Sequence, residues 1–193
     1  GLNAFLVIAI GSSQAFAATP IANQSDLVAI GDFLGGDYVL TKSFSVTPTN
    51  IDTYISGEFT GTIDGDGFTI SGLNKPLFNH LGVGSLIKDL NLDAGTVSGR
   101  GILANRADGR IENVHVTGNV TDPGGPDGTG GLVGTSDGSI SGSSATGNVT
   151  GDVTGNVTGD LTGNVSGNIT GNVTGNASTA TKLAATKTIN GTA

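Results

Sequence analysis

Residues 147–178 are eight unbroken copies of a four-residue unit: GNVT, GDVT, GNVT, GDLT, GNVS, GNIT, GNVT and GNAS. A tract this uniform belongs to a stalk or a fibre, not to a catalytic domain. In an extended strand successive side chains alternate, so Gly and the apolar residue share one side and Asn/Asp and Thr/Ser the other. The inward row is then Val149, Val153, Val157, Leu161, Val165, Ile169, Val173 and Ala177. Laid out straight at roughly 3.3 Å per residue, the tract would reach about 100 Å. Ordinary strands hold about five or six residues. A lone strand of that length cannot bury its valines, so it needs sister chains or must wind on itself.

Two architectures satisfy this. Three chains can intertwine and bury the apolar row along a common axis. Alternatively, each G-[ND]-[VLI]-[TS] unit forms one short side of a monomeric solenoid. Exposed edges on so uniform a strand invite pairing, so self-association as a homotrimer or filament is the expected partnership.

Composition narrows the class. Gly is 34 of 193 residues without the G-X-Y period of collagen, so the triple helix is excluded. Repetition with β-branched residues points to an extended β architecture. The net charge of −8 argues against nucleic acid as a partner, since phosphate binding needs clustered Lys and Arg. Cys is absent, which removes disulfides and thiolate metal sites together. No cofactor is expected.

The first residues read as an export signal. Leu2–Ile10 is an apolar run too short to span a bilayer as a helix, and Ala15-Phe16-Ala17 is an A-x-A cleavage pattern. No Met or basic n-region precedes it, so the signal, residues 1–17, reads as truncated at its start. The expectation is a secreted or cell-surface protein with no stable membrane span after cleavage.

Between the signal and the tract, residues 18–146 read as a repetitive β-domain. Residues 26–31 suggest a helical turn or cap; 38–41, 44–46, 57–63 and 68–70 are strand-like. From residue 77 a longer period sets in. Ile87-Lys88-Asp89-Leu90-Asn91-Leu92 recurs as Ile111-Glu112-Asn113-Val114-His115-Val116 and, after a longer interval, as Ile140-Ser141-Gly142-Ser143-Ser144-Ala145. The extra residues of the second interval are expected in the loop-forming run Asp122–Gly128. Such rungs are the signature of a β-solenoid, with Ile87, Ile111 and Ile140 stacked in one inward ladder. Val114 is matched by Ser143, which predicts a weaker core in the last rung.

Candidate chemistry is sparse. Asp64-Gly65-Asp66-Gly67 offers two carboxylates to a calcium ion that wants six to eight oxygens, so an ordinary D-G hairpin turn is the stronger reading. His80 and His115 lie in no nucleophile, H-E-x-x-H or P-loop motif, and His115 reads as a solvent-facing strand residue. Asp89, Asp93 and Glu112 could approach one another across rungs, as a polysaccharide-active enzyme would need. Sequons fall at Asn148, Asn156, Asn164, Asn168, Asn172 and Asn176, with others at Asn23, Asn119 and Asn190. Against glycosylation stands the simpler reading that Asn hydrogen-bonds at turns and Thr suits strands. The outward Thr row also suggests an ice- or glycan-binding face, sparse if the strand is straight and closer-packed if it coils.

Gly131-Leu132-Val133-Gly134, Gly138-Ser139-Ile140 and Ser144–Val149 resemble the GLUG motif. The segments 27–31, 38–41 and 59–70 are similar to what precedes such repeats. This resemblance, over about 25–150, implies a right-handed β-helix of secreted bacterial adhesins and surface proteins. Gly101-Ile102-Leu103-Ala104 departs from the usual opening. Residues 175–186, after the G-N-V-T units, resemble bacteriophage tail fibres, which implies a trimeric β-structured fibre.

The expected fold is therefore all-β: a right-handed β-helix or β-solenoid (18–146), an extended tetrapeptide-repeat β stalk (147–178) and a C-terminal segment (179–193) that reads as truncated. The expected function is that of a non-enzymatic exported surface fibre or adhesin that assembles or displays a multivalent binding surface for a surface glycan or host-cell ligand. A polysaccharide-active enzyme and a tail-fibre fragment are the alternatives.

Overall fold

The computed structural model describes residues 17–122 and 128–150, together with the backbone of 159–162 and 165–166. Residues 1–16 of the expected signal segment 1–17 and most of the tetrapeptide units lie outside the described residues.

Short runs of alternating apolar and polar residues, broken by Gly, Asp and Asn, fold as short strands gathered into three parallel sheets. A six-stranded sheet holds β1 (Thr19–Ile21), β2 (Asp37–Leu40), β5 (Thr62–Asp64), β8 (Leu86–Lys88), β11 (Arg110–Glu112) and β14 (Ser139–Ser141) in that order. A four-stranded sheet holds β4 (Ile55–Phe59), β7 (Phe78–Leu81), β10 (Ala104–Ala107) and β13 (Val133–Ser136). An eight-stranded sheet runs through β3 (Phe44–Ser45), β6 (Thr69–Leu73), β9 (Asn91–Ser98), β12 (His115–Thr121), β15 (Ser143–Thr146) and β17 (Gly159–Thr162), with β16 (Val149–Thr150) on β12 and β18 (Val165–Ser166) on β16. From β2 to β15 the chain visits the six-, eight- and four-stranded sheets in turn, and each strand pairs with its counterpart from the circuit before.

This order corrects the hairpin reading of Asp64–Gly67. β5 and β6 lie in different sheets, so the D-G-D-G run is a corner between sheets. Asp64 Oδ1 accepts the Asp66 N–H at 3.0 Å, and Asp66 and Gly67 adopt φ of 47° and 74°. Likewise the run 57–63 is two strands, β4 and β5, separated by a corner at Thr60-Gly61.

Burial follows register. Tyr38, Ile63, Ile87, Ile111 and Ile140 are successive partners across the six-stranded sheet, all buried. Phe44, Ile70, Leu92, Val116 and Ala145 form a second row in the eight-stranded sheet. In the four-stranded sheet Ile55, Phe78, Ala104 and Val133 form the third. Ile87 pairs with Ile111 and Ile111 with Ile140, so the second step is the longer one. The matching partners Ala104 and Val133 place its extra residues between Thr121 and Val133; residues 123–127 lie outside the described ones.

The two ends differ. At the start, α1 (Gln24–Val28) and a 3-10 turn (Ala29–Asp32) follow β1 and bury Leu27 and Ile30. Asn23 caps this helix: its Oδ1 accepts the Asp26 N–H at 3.1 Å, and Asp26 Oδ2 accepts the Ala22 N–H at 2.9 Å. Near this end the core carries aromatic bulk, with Phe59 5.2 Å from Phe78 and 6.2 Å from Tyr38 between ring centroids. Toward the other end it shrinks. Phe59, Leu81, Ala107 and Ser136 occupy one row, and Ser143 replaces Val114. Ser143 is buried and still satisfied, since Oγ donates to Ser141 O at 3.0 Å and accepts the Val114 N–H at 3.0 Å.

Candidate functional site

Inward positions are taken up by packing, so any chemistry must lie on the outward faces of the sheets. The outward row of the four-stranded sheet is Glu58, His80, Arg106 and Thr135, one per strand. Asp108, on the corner after β10, ties this row together. Its carboxylate accepts from Arg106 Nε at 3.0 Å and lies 2.9 Å from His80 Nε2. Arg106 also reaches Asp137 on the next circuit at 2.8 Å. The Arg106 hydrogen bond, aided by His80, holds the Asp108 carboxyl below its ordinary value against partial burial. This group therefore stabilises the fold above the ordinary carboxylate range near pH 4, and the contribution is lost as pH falls through its depressed folded value. Asp108→Asn should lower the melting temperature at pH 7 and flatten its acid dependence, as read by thermal melts between about pH 7 and pH 3.

The six-stranded face presents Asp64, Lys88 and Glu112 in a row, with Lys88 ion-paired to Asp64 and Arg110 to Glu112. At the corner beyond it, Asp89 and Asn113 both adopt left-handed backbone, φ 51° and 52°. Their side chains ladder, with Asn113 Nδ2 donating to Asp89 Oδ1 at 2.7 Å. That hydrogen bond holds the Asp89 carboxyl below its usual value.

The eight-stranded face is different, being broad, polar and nearly free of charge. One row runs Ser45, Ser71, Asp93, Thr117 and Thr146; another runs Thr69, Asn91, His115 and Ser144; a third runs Ser98, Thr121 and Thr150. Neighbours lie one strand apart, about 4.8 Å. Within the rows the Ser45 and Ser71 hydroxyls meet at 2.6 Å, and His115 bonds Ser144 Oγ at 2.8 Å and Asn113 Oδ1 at 2.9 Å. Together these rows form a lattice of hydroxyls and amides in register from strand to strand.

Asp89, Asp93 and Glu112 do not come together: Asp89 is on a corner, Asp93 on the eight-stranded face and Glu112 on the six-stranded face. Asp64, the first carboxylate of the D-G-D-G run, is engaged with the Asp66 N–H and Lys88. Among the described residues no cluster of three His, Cys, Asp or Glu could hold a metal ion. A crevice of about 330 Å³ by Phe33, Gly36 and Asp37 brings no acid–base pair. Ile87, Ile111, Ile140 and Val149 are buried. Leu161 and Val165 take the register positions of Ala145 and Val149. Val153, Val157, Ile169 and Val173 lie outside the described residues, as do the sequon residues Asn156, Asn164, Asn168, Asn172, Asn176 and Asn190. Of the remaining sequons, Asn148 is exposed, Asn119 Oδ1 accepts the Asn148 N–H at 3.0 Å, and Asn23 caps α1. Sequence reasoning missed the His80–Asp108–Arg106 cluster; its only trace was that Asp108 and Asp137 recur at the interval of the last two rungs.

Comparison with known proteins identifies the family of this sequence. The model of the M26 IgA1-specific metallo-endopeptidase N-terminal region matches residues 21–118, from the end of β1 into β12. The chain belongs to this M26 N-terminal-region family. The GLUG motif matches residues 125–150, which include β13 to β16. An immunoglobulin A1 protease of Streptococcus sanguinis is 37% identical over 135 residues, 63% of this chain and 7% of that protein. That of Streptococcus pneumoniae is 36% identical over 133 residues, 62% of this chain and 7% of the protein. Halomucin of Haloquadratum walsbyi is 36% identical over 90 residues, 41% of this chain and 1% of that protein. This M26 N-terminal-region chain thus spans about 7% of the length of the proteases it matches. No solved structure matches it. Among the described residues no helix is long and apolar enough to cross a membrane.

Proposed function

We propose that the chain is an exported display element, a right-handed parallel β-helix that presents a binding face at the surface and leaves catalysis to other parts of a longer protein. The observation that carries this reading is the outward face of the eight-stranded sheet, where hydroxyls and amides repeat strand by strand in register. A polar lattice with little charge suits a glycan, whose hydroxyls exchange hydrogen bonds with Ser, Thr and Asn without needing charge. Repetition along the rod supplies avidity. Membership in an N-terminal-region family, at a small fraction of its relatives' length, supports a module that positions rather than cleaves.

Two assays on this chain test the reading. On a glycan array the chain is expected to bind, and the double variant Thr117→Lys/Thr146→Lys, altered at exposed outward positions, is expected to lose that binding. With immunoglobulin A1 as substrate, zinc added, no cleavage is expected. Cleavage by this chain, or glycan binding indifferent to the double variant, contradicts the reading.

Assembly with further copies is the second reading, favoured by β13 and β14. Each is the last strand of its sheet among the described residues and offers one edge for further pairing.

A further inference from the structure

The pairing of the last strands fixes a quantity that the tetrapeptide sequence alone leaves open. β15 pairs with β17 as Ser143↔Gly159 through Thr146↔Thr162, and β16 pairs with β18 as Val149↔Val165 and Thr150↔Ser166. Both ladders share one offset, equal to four tetrapeptide units. Any whole number of units would superpose Gly on Gly and Val on Val. Both ladders run at four, a shorter step than Ile87 to Ile111 or Ile111 to Ile140 before it.

A single unit of such a turn is already visible upstream. Thr117-Gly118-Asn119-Val120 and Thr146-Gly147-Asn148-Val149 share one sequence and stack on each other. In both, Gly adopts φ 143° and Val is buried. The register shifts between Thr117 and Asn119, a bulge that bends the strand. Only glycine fits there: a Cβ on Gly147 would lie 1.9 Å from Gly118 O. Asn has its own task, since Asn119 Oδ1 accepts the Asn148 N–H of the next circuit. The unit is thus a corner, an amide that ties circuit to circuit, an inward apolar residue and an outward hydroxyl. The same four letters recur in the sequence at 162–165, and the two described ends of that run, Thr162 and Val165, stand in register with Thr146 and Val149.

We propose that the end of the stack at β15 and β16 is a docking template whose occupant is this chain's own tetrapeptide tract, four units to the turn. The proposal rests on the parallel β-helix reading above. A second copy of the chain is the competing occupant. The tract is favoured because its units from Gly151 onward follow the template directly in the same chain, which gives them a high effective concentration there. The inward rows also taper before the tract, from Phe59 to Ser136 and from Val114 to Ser143, as a smaller turn requires.

Engineered cysteine pairs test it, because the chain has no cysteine of its own. Adjacent parallel strands sit about 4.8 Å apart, within the Cα separation of roughly 4.4–6.8 Å that a disulfide spans. Thr150→Cys/Ser166→Cys and Thr146→Cys/Thr162→Cys should oxidise completely within single chains, read as loss of free thiol at monomer mass on a non-reducing gel. Thr150→Cys/Thr162→Cys should keep its thiols. Thr117→Cys/Thr146→Cys reports on the stack itself; its failure to close would overturn the β-helix reading, not only the docking. If that pair closes while the four-unit pairs bridge between chains, or while Thr150→Cys/Thr162→Cys closes equally well, the docking proposal is overturned.

Discussion

Gly138→Ala is expected to destabilise the protein by more than about 3 kcal/mol, at the upper end of what overpacking costs. Gly138 begins the corner into β14, where one circuit passes directly over the one before. A Cβ there would lie 1.9 Å from Gly109 O and 2.8 Å from Asp108 C, both backbone atoms. No rotamer change relieves that contact; the two circuits must separate, and the Ser139 N–H to Gly109 O bond of 3.1 Å separates with them. Gly61 stands in the same column of corners, with its Cβ direction blocked by Gly36 O at 1.9 Å. The control is Gly95→Ala. Nothing lies within 4 Å of that Cβ position, so the change should stay within about 0.5 kcal/mol. Chemical denaturation of the two variants beside the parent measures both effects, and equal losses would show that close approach at the corners is not what glycine serves.

Phe78→Ala should cost about 3–5 kcal/mol, the usual range for emptying a buried aromatic position. Phe78 is fully buried, packs on Phe59 at 5.2 Å and stands in register with Ile55 and Ala104. Ala104 shows that alanine fits the row one circuit later, but there the neighbouring core is smaller. At Phe78 the flanking side chains are locked by two ladders and cannot collapse into the void. Because each circuit leans mainly on its neighbours, the loss should uncouple the two ends of the stack. A denaturation curve that splits into two transitions, or falls to a lower midpoint with reduced slope, is the expected record. An unchanged midpoint would mean that the aromatic cluster is not part of the core.

How much of this was legible beforehand depends on what sets each feature. The Ile87, Ile111 and Ile140 row was legible because an inward position repeats whenever the circuit repeats, and apolar residues at recurring intervals betray it. The corners were legible as Gly and Asp runs, but their geometry was not. A D-G-D-G run serves a hairpin or a corner equally well, and what decides it is the preceding circuit, whose ladders hold β5 and β6 in separate sheets. The acidic residues Asp89, Asp93 and Glu112 looked like candidates for one cluster because they lie on neighbouring circuits. Three faces per circuit send them apart. By the same geometry His80 meets Arg106 and Asp108 from one circuit earlier, a separation with no sequence motif. In the tract, the four-residue period was plain, whereas the number of units per turn is a property of the template beneath it.

The central claim is that each circuit lays one strand on its predecessor in each sheet, in the same register. Isoleucine-methyl NMR tests it most directly, through contacts among Ile63, Ile87, Ile111 and Ile140. The account predicts contacts between Ile63 and Ile87, Ile87 and Ile111, and Ile111 and Ile140, with none that skips a member. A missing link between neighbours, or a direct contact from Ile63 to Ile111, would contradict it.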